Sequence, residues 1–201
     1  MSREFQKKMT SFWLHVVYAL NLRVIWASIA RLLMGDTKKA PLKDFATPQE
    51  LQAYLEQVFE YGPDPGGDIL FEGQVAIPAG WFDYPKDPEH FQWLLNTPGP
   101  DGDCDCDHWY IANQLIRMKC VQKVYFMCSG FVGGAHATAV YMQDDKWFHF
   151  DYRIYPIDNP NDAPMKVALR YTTKGQPIDV MFWTFETVKP WKVVAISPKK
   201  V

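Results

Sequence analysis

Net charge is almost missing from this chain: 23 acidic residues stand against 21 basic ones, which leaves −2 at pH 7, and no long run of either sign occurs. A nucleic-acid binder carries a basic patch or stripe, so no nucleic-acid partner is expected. Cysteine is scarce too. The four residues, Cys104, Cys106, Cys120 and Cys128, crowd into one short stretch. A disulfide framework spreads its cysteines along a chain, so free thiols and a reducing compartment are expected instead. A bridge between Cys104 and Cys106 would be strained. Internal repeats and low-complexity tracts are absent. A secretory leader is not expected either, because the apolar run near the start is too long and Leu33-Met34-Gly35-Asp36 is a poor cleavage site.

Apolar and aromatic residues are plentiful. The 201 residues are 48% hydrophobic and 15% aromatic, enough for one well-filled core with an appended helix. That helix is expected within residues 1–35, where Phe12 to Met34 is apolar apart from His15, Asn21, Arg23, Ser28 and Arg31. The run is long enough to cross a bilayer. Two arginines inside it oppose crossing, by about 2.5–3.5 kcal/mol each near the centre. The polar positions do not gather on one face, which also argues against a helix lying on a membrane surface. Burial against the domain or a partner subunit is the favoured reading, with membrane docking through residues 12–34 as the other. Gly35 is a good helix stop, and a polar linker follows to Lys43, so the main domain is expected to span 36–201.

Within it, Thr47-Pro48-Gln49-Glu50 reads as a helix start, with a Thr cap, a Pro at the first position and Leu51, Tyr54, Leu55 and Phe59 as the apolar face. Residues 69–77 read as a strand or extended arm. Asp87-Pro88-Glu89 opens a second helix, broken at Thr97-Pro98-Gly99-Pro100. A third helix is expected from about Asp105 to Lys119, with Cys104, His108, Ile111, Ala112 and Leu115 on one face. Strands are expected at 121–128, 136–142 and 146–152, the last two as a hairpin turning at Gln143-Asp144-Asp145. Residues 166–172, 179–187 and 191–196 read as further strands or edge segments. Helices first and an antiparallel sheet afterwards make an α+β protein. The aromatic clusters at 81–84 and 182–185 are expected to close the core.

One constellation speaks of chemistry. Gly102-Asp103-Cys104-Asp105-Cys106 places a thiol at a helix start, where exposed N–H groups lower its pKa. His136 stands on a later strand as a base, and Asp151 on the partner strand can fix its tautomer. Gly133-Gly134 before His136 leaves room for a substrate backbone. Cys104 is the preferred nucleophile and Cys106 the alternative. A metal site built on Cys104, Cys106 and His108, completed by Cys120, Cys128 or His136, is the rival. Its spacing is short for zinc knuckles, and the aspartates favour harder cations. His149, between Phe148 and Phe150, is expected to face solvent or a neighbour.

Gly102-Asp103-Cys104-Asp105, Gly134-Ala135-His136-Ala137 and Phe150-Asp151-Tyr152, in that order, resemble the transglutaminase-like superfamily of the papain-like fold, as in small bacterial and phage members. The resemblance covers about residues 85–155. Cys106 departs from it, standing where an acidic residue is usual. The resemblance implies a central helix packed on an antiparallel sheet and a Cys-His-Asp triad of Cys104, His136 and Asp151. It implies acyl transfer from an amide of a peptide or protein substrate, without cofactor or metal. An additional oxyanion donor is unassigned, with Gln92 and Trp93 as upstream candidates. The alternative is an inactive module of a larger assembly, such as a virion or an oligomer, that docks through the N-terminal helix. The expected location is the cytoplasm or such an assembly, with peripheral membrane association as the variant.

Overall fold

The structure is a computed structural model that describes residue 29 and residues 37–62, 69–71, 74–77, 86–99, 104–131, 134–171, 181–187 and 193–199, with backbone alone at 69–71, 74–77, 104–106, 130–131, 134–135, 168, 171, 181–187 and 193–199. The expected helix over 1–35 and the cluster at 81–84 lie outside the described residues, apart from Ile29, which is helical.

Helix α1 (Pro48–Val58) begins where its cap predicts: Thr47 Oγ1 accepts from the Glu50 amide, and Glu50 Oε2 accepts from the Ala46 amide. Such a cap is worth about 1 kcal/mol. A short hairpin, β1 (Ile69–Phe71) with β2 (Gln74–Ile77), stands where a single strand or extended arm is expected. Helix α2 (Pro88–Leu95) is capped by Asp87, whose Oδ1 accepts from the Glu89 amide. Helix α3 (Cys104–Leu115) stops short of Lys119, in a turn.

Strands β3 (Lys123–Phe131), β4 (Gly134–Gln143), β5 (Lys146–Asp151), β6 (Arg153–Ile157), β7 (Met181–Thr187) and β8 (Val193–Lys199) form one antiparallel sheet, in the order β6-β5-β4-β3-β7-β8. The β4–β5 turn uses Asp144 and Asp145 at φ 50° and 57°. Aspartate tolerates the left-handed region, and two such residues in a row make the turn whose twist suits a two-residue hairpin. Gln122 braces it by accepting from the Asp145 amide.

One reading is corrected. Residues 166–171, expected as part of a strand, are helical: Ala163–Tyr171 is a helix, α4, with buried Ala163 and Val167 one turn apart. A capping box between Asn159 and Asp162, in the 3-10 turn Pro160–Asp162, launches it. Strand β6 was not foreseen as a separate element. The chain enters it through Tyr152 at φ 55°, a conformation uncommon for a bulky side chain.

Strand alternation divides the core. Phe126, Ala137, Ala139, Tyr141 and Phe150 point to the face covered by α1, α2 and α3, where Leu51, Phe91, Tyr110, Ile111 and Leu115 are buried. Each such large apolar side chain contributes roughly 1.5–3 kcal/mol. Met127, Val140 and Ile157 point to the other face, under Ala163 and Val167 of α4. The chain is therefore α+β, with helices on both faces of the sheet. Among the described residues, no helix is long and apolar enough to cross a membrane.

Candidate active site

Hairpin register brings the predicted base and acid together. Ala139 pairs with Phe150 and Val140 with His149, so continuing that register sets Asp151 opposite Thr138, one side-chain repeat from His136. His136, Thr138, Val140, His149 and Asp151 lie on the α4 face, and a one-residue slip would turn the whole set to the other side. His136 Nε2 and Asp151 Oδ1 are 2.9 Å apart, with 8% and 1% of each residue exposed. Asp151 takes Nε2, so Nδ1 is the ring nitrogen suited to receive a proton from a nucleophile.

The thiol positions sit on the helix expected for them. Cys104 is the first residue of α3 and Cys106 the third. Position 104 shares its helix face with His108, one turn on, whereas position 106 shares its face with Tyr110. His108 approaches the dyad, its ring centre 5.6 Å from that of His136 and its Nε2 3.8 Å from Asp151 Oδ1. Tyr110 instead packs on Phe91 and donates to Gln92 Oε1. This contact between α3 and the dyad occurs where β5 has ended at Asp151 while β4 runs on to Gly134.

Four further groups complete the cluster, none foreseen as part of it. Arg170, in the last turn of α4, places Nη1 2.6 Å from Asp151 Oδ2, and its guanidinium lies 4.6 Å from the centre of the Tyr155 ring. Asp107 and His108 are both buried, with Oδ1 and Nδ1 2.6 Å apart. The Tyr152 ring meets His108 edge-on at 5.0 Å and stacks on Phe59. His149 is buried at 1% exposure, which corrects the expectation that it faces solvent, and neither ring nitrogen has a hydrogen-bond partner among the described residues.

The electrostatics follow from these neighbours. Burial pushes the Asp151 carboxyl up, but the His136 hydrogen bond and the nearby imidazoles outweigh it and hold the group at about 2. Burial pushes His149 down to about 4, against the attraction of Asp151. Burial also raises the Asp107 carboxyl above its usual range, partly offset by His108.

The two upstream oxyanion candidates have other contacts. Gln92 donates to Tyr54 and accepts from Tyr110 and from the Lys43 amide, so its amide is committed to joining α1, α2 and α3. Trp93 stacks with His90 and lies under the Lys38 ammonium. Neither Cys120 nor Cys128 forms a disulfide. Among the described residues, no three histidine, cysteine or acidic side chains are grouped as metal ligands.

No family model, curated protein or solved structure matches this chain. Asp107-His108 and Arg170 each had a trace in the sequence. The first follows Cys104 by one helical turn, and the second falls in a helix announced by the Asn159–Asp162 capping box.

Proposed function

We propose that the protein is a cysteine-dependent acyl-transfer enzyme with a transglutaminase-like, papain-like core, acting as an amide hydrolase on peptide or isopeptide bonds. The observation that carries this reading is the buried His136–Asp151 pair at 2.9 Å, with a helix beginning at Cys104 and the next turn of that helix reaching the pair through His108. The Cys104 thiol gives its proton to His136 Nδ1, and the thiolate attacks the substrate carbonyl. The C–N bond breaks as His136 returns the proton to the leaving amine, which leaves a thioester on Cys104. Water, deprotonated by His136, cleaves the thioester and releases the acid. Asp151 stays ionised throughout, keeps the ring oriented and stabilises its charged form.

The helix register favours Cys104 over Cys106 as nucleophile, because position 104 shares a face with His108. No cofactor takes part in this scheme. The substrate is a peptide or protein, and the working environment is a reducing one such as the cytoplasm or a larger assembly, reached through the apolar segment 12–34. Labelling the intact protein with iodoacetamide at mildly acidic pH tests the reading. Cys104 should react far faster than Cys106, Cys120 and Cys128. Slow, uniform labelling of all four would leave the inactive assembly module as the account of the chain.

A further inference from the structure

The cluster contains a second imidazole and a second carboxylate that a Cys-His-Asp scheme does not use. Asp107 and His108 are consecutive on α3, fully enclosed, and joined between Oδ1 and Nδ1 at 2.6 Å. The other nitrogen of His108, Nε2, stands 3.8 Å from Asp151 Oδ1, inside ion-pair range and beyond a direct hydrogen bond. His108 therefore has a carboxylate on each side. A neutral imidazole has one N–H and one lone pair. Between two ionised carboxylates it would aim that lone pair at one of them, which is repulsive.

The surrounding groups set the balance. Asp107 faces His108 from α3, His136 from β4 and Asp151 from β5, with the Tyr152 ring edge-on; His149 stands near on β5, and Arg170 of α4 meets Asp151. Arg170 holds the far oxygen, Oδ2, so Oδ1 is the oxygen to which both His136 and His108 turn. Burial of Asp107 favours retention of a proton on the pair, whether it rests on Oδ1 or on Nδ1.

We propose that Asp107 and His108 together retain two protons at neutral pH, so that His108 turns an Nε2–H toward Asp151 and, opposite Arg170, positions that acid for His136. This rests on the reading of Cys104, His136 and Asp151 as a triad. His108 acts through Asp151 and is a positioning residue.

Two measurements on the full chain test it. Nitrogen-15 NMR of the labelled histidines should find Nε2 of His108 protonated at pH 7; an unprotonated Nε2 overturns the proposal. The second measurement follows the pH dependence of Cys104 alkylation by iodoacetamide. His108→Leu removes the N–H that holds Asp151 in place for His136, so the imidazolium that stabilises the thiolate is less well placed, the thiol becomes harder to ionise and the midpoint rises by about one pH unit. His108→Gln, with an amide N–H near the same place, should recover most of that shift. Wild-type midpoints in both folded variants overturn the proposal. Should His108→Leu not fold, the NMR measurement decides alone. An ordinary alkylation profile for Cys104 in the wild type would instead remove the enzymatic reading, and the NMR result would still decide how the pair is protonated.

Discussion

Arg170 closes on Asp151 from the last turn of α4, its Nη1 2.6 Å from Oδ2 and 3.4 Å from the backbone carbonyl oxygen of the same residue. Two side chains thus divide one carboxylate, Arg170 on Oδ2 and His136 on Oδ1. The arrangement fixes the carboxylate plane and, with it, the plane of the His136 ring. Replacing Arg170 by Met should lower kcat/KM by roughly tenfold, with a smaller loss for Arg170→Lys, which keeps charge without the planar fork. The Arg170 side chain is 38% exposed, so solvent screens part of the pair. Arg170→Met should therefore cost about 1–2 kcal/mol in a urea titration, below the value for a fully buried pair.

Acid should destabilise the protein in two stages. His149 is held down at about 4, against 6.5 for an ordinary imidazole, so the unfolded chain binds its proton first and stability falls between about pH 6.5 and pH 4. Asp151 is held at about 2, against 3.8, so its contribution is complete above about pH 4 and fades as the pH falls toward 2. The first stage amounts to about 3 kcal/mol at most. His149→Leu should flatten it, because it removes both the titrating ring and two buried nitrogens without hydrogen-bond partners among the described residues. Urea midpoints at pH 7, 5 and 3 for the two proteins check this.

Local signals in the sequence were enough for part of this architecture. Thr47 and Asp87 announce α1 and α2 because a cap is a local interaction, and the alternation around Asp144-Asp145 announces the β4–β5 hairpin that joins His136 to Asp151. Helix α4 is masked in the sequence because Val167, Leu169 and Tyr171 alternate like a strand, while the Asn159–Asp162 box that starts the helix lies upstream of that window. Arg170 was lost with it. The burial of His149 is not legible because alternation sorts residues between faces without saying that a helix will cover both. His108 could be placed on a helix face, but its approach to His136 depends on β5 ending at Asp151, a tertiary fact that no short window contains.

The hairpin turn offers a separate test. Asp145 has φ 57°, which a residue with a Cβ adopts at some expense in energy. Asp145→Gly should relieve that strain while keeping the amide that Gln122 accepts from. A gain of about 0.5–1 kcal/mol in urea unfolding is expected, because aspartate followed by glycine suits this turn. An unchanged or lower stability would assign the greater weight to the Gln122–Asp145 side-chain contact.

The proposed choice of Cys104 over Cys106 as nucleophile rests on helix register. Cys104→Ser should abolish rapid iodoacetamide labelling at pH 6, and Cys106→Ser should retain it, as read by peptide mapping. The reverse pattern would move the nucleophile to position 106.

The most direct measurement compares the pH profile of Cys104 alkylation in the wild type and in His136→Ala. If His136 and Asp151 serve this thiol, the wild-type thiolate persists in mild acid, with a midpoint below about pH 6, and the variant's midpoint rises toward the ordinary thiol value of about 8.5. Two superimposable profiles, both centred near that ordinary value, would contradict the account.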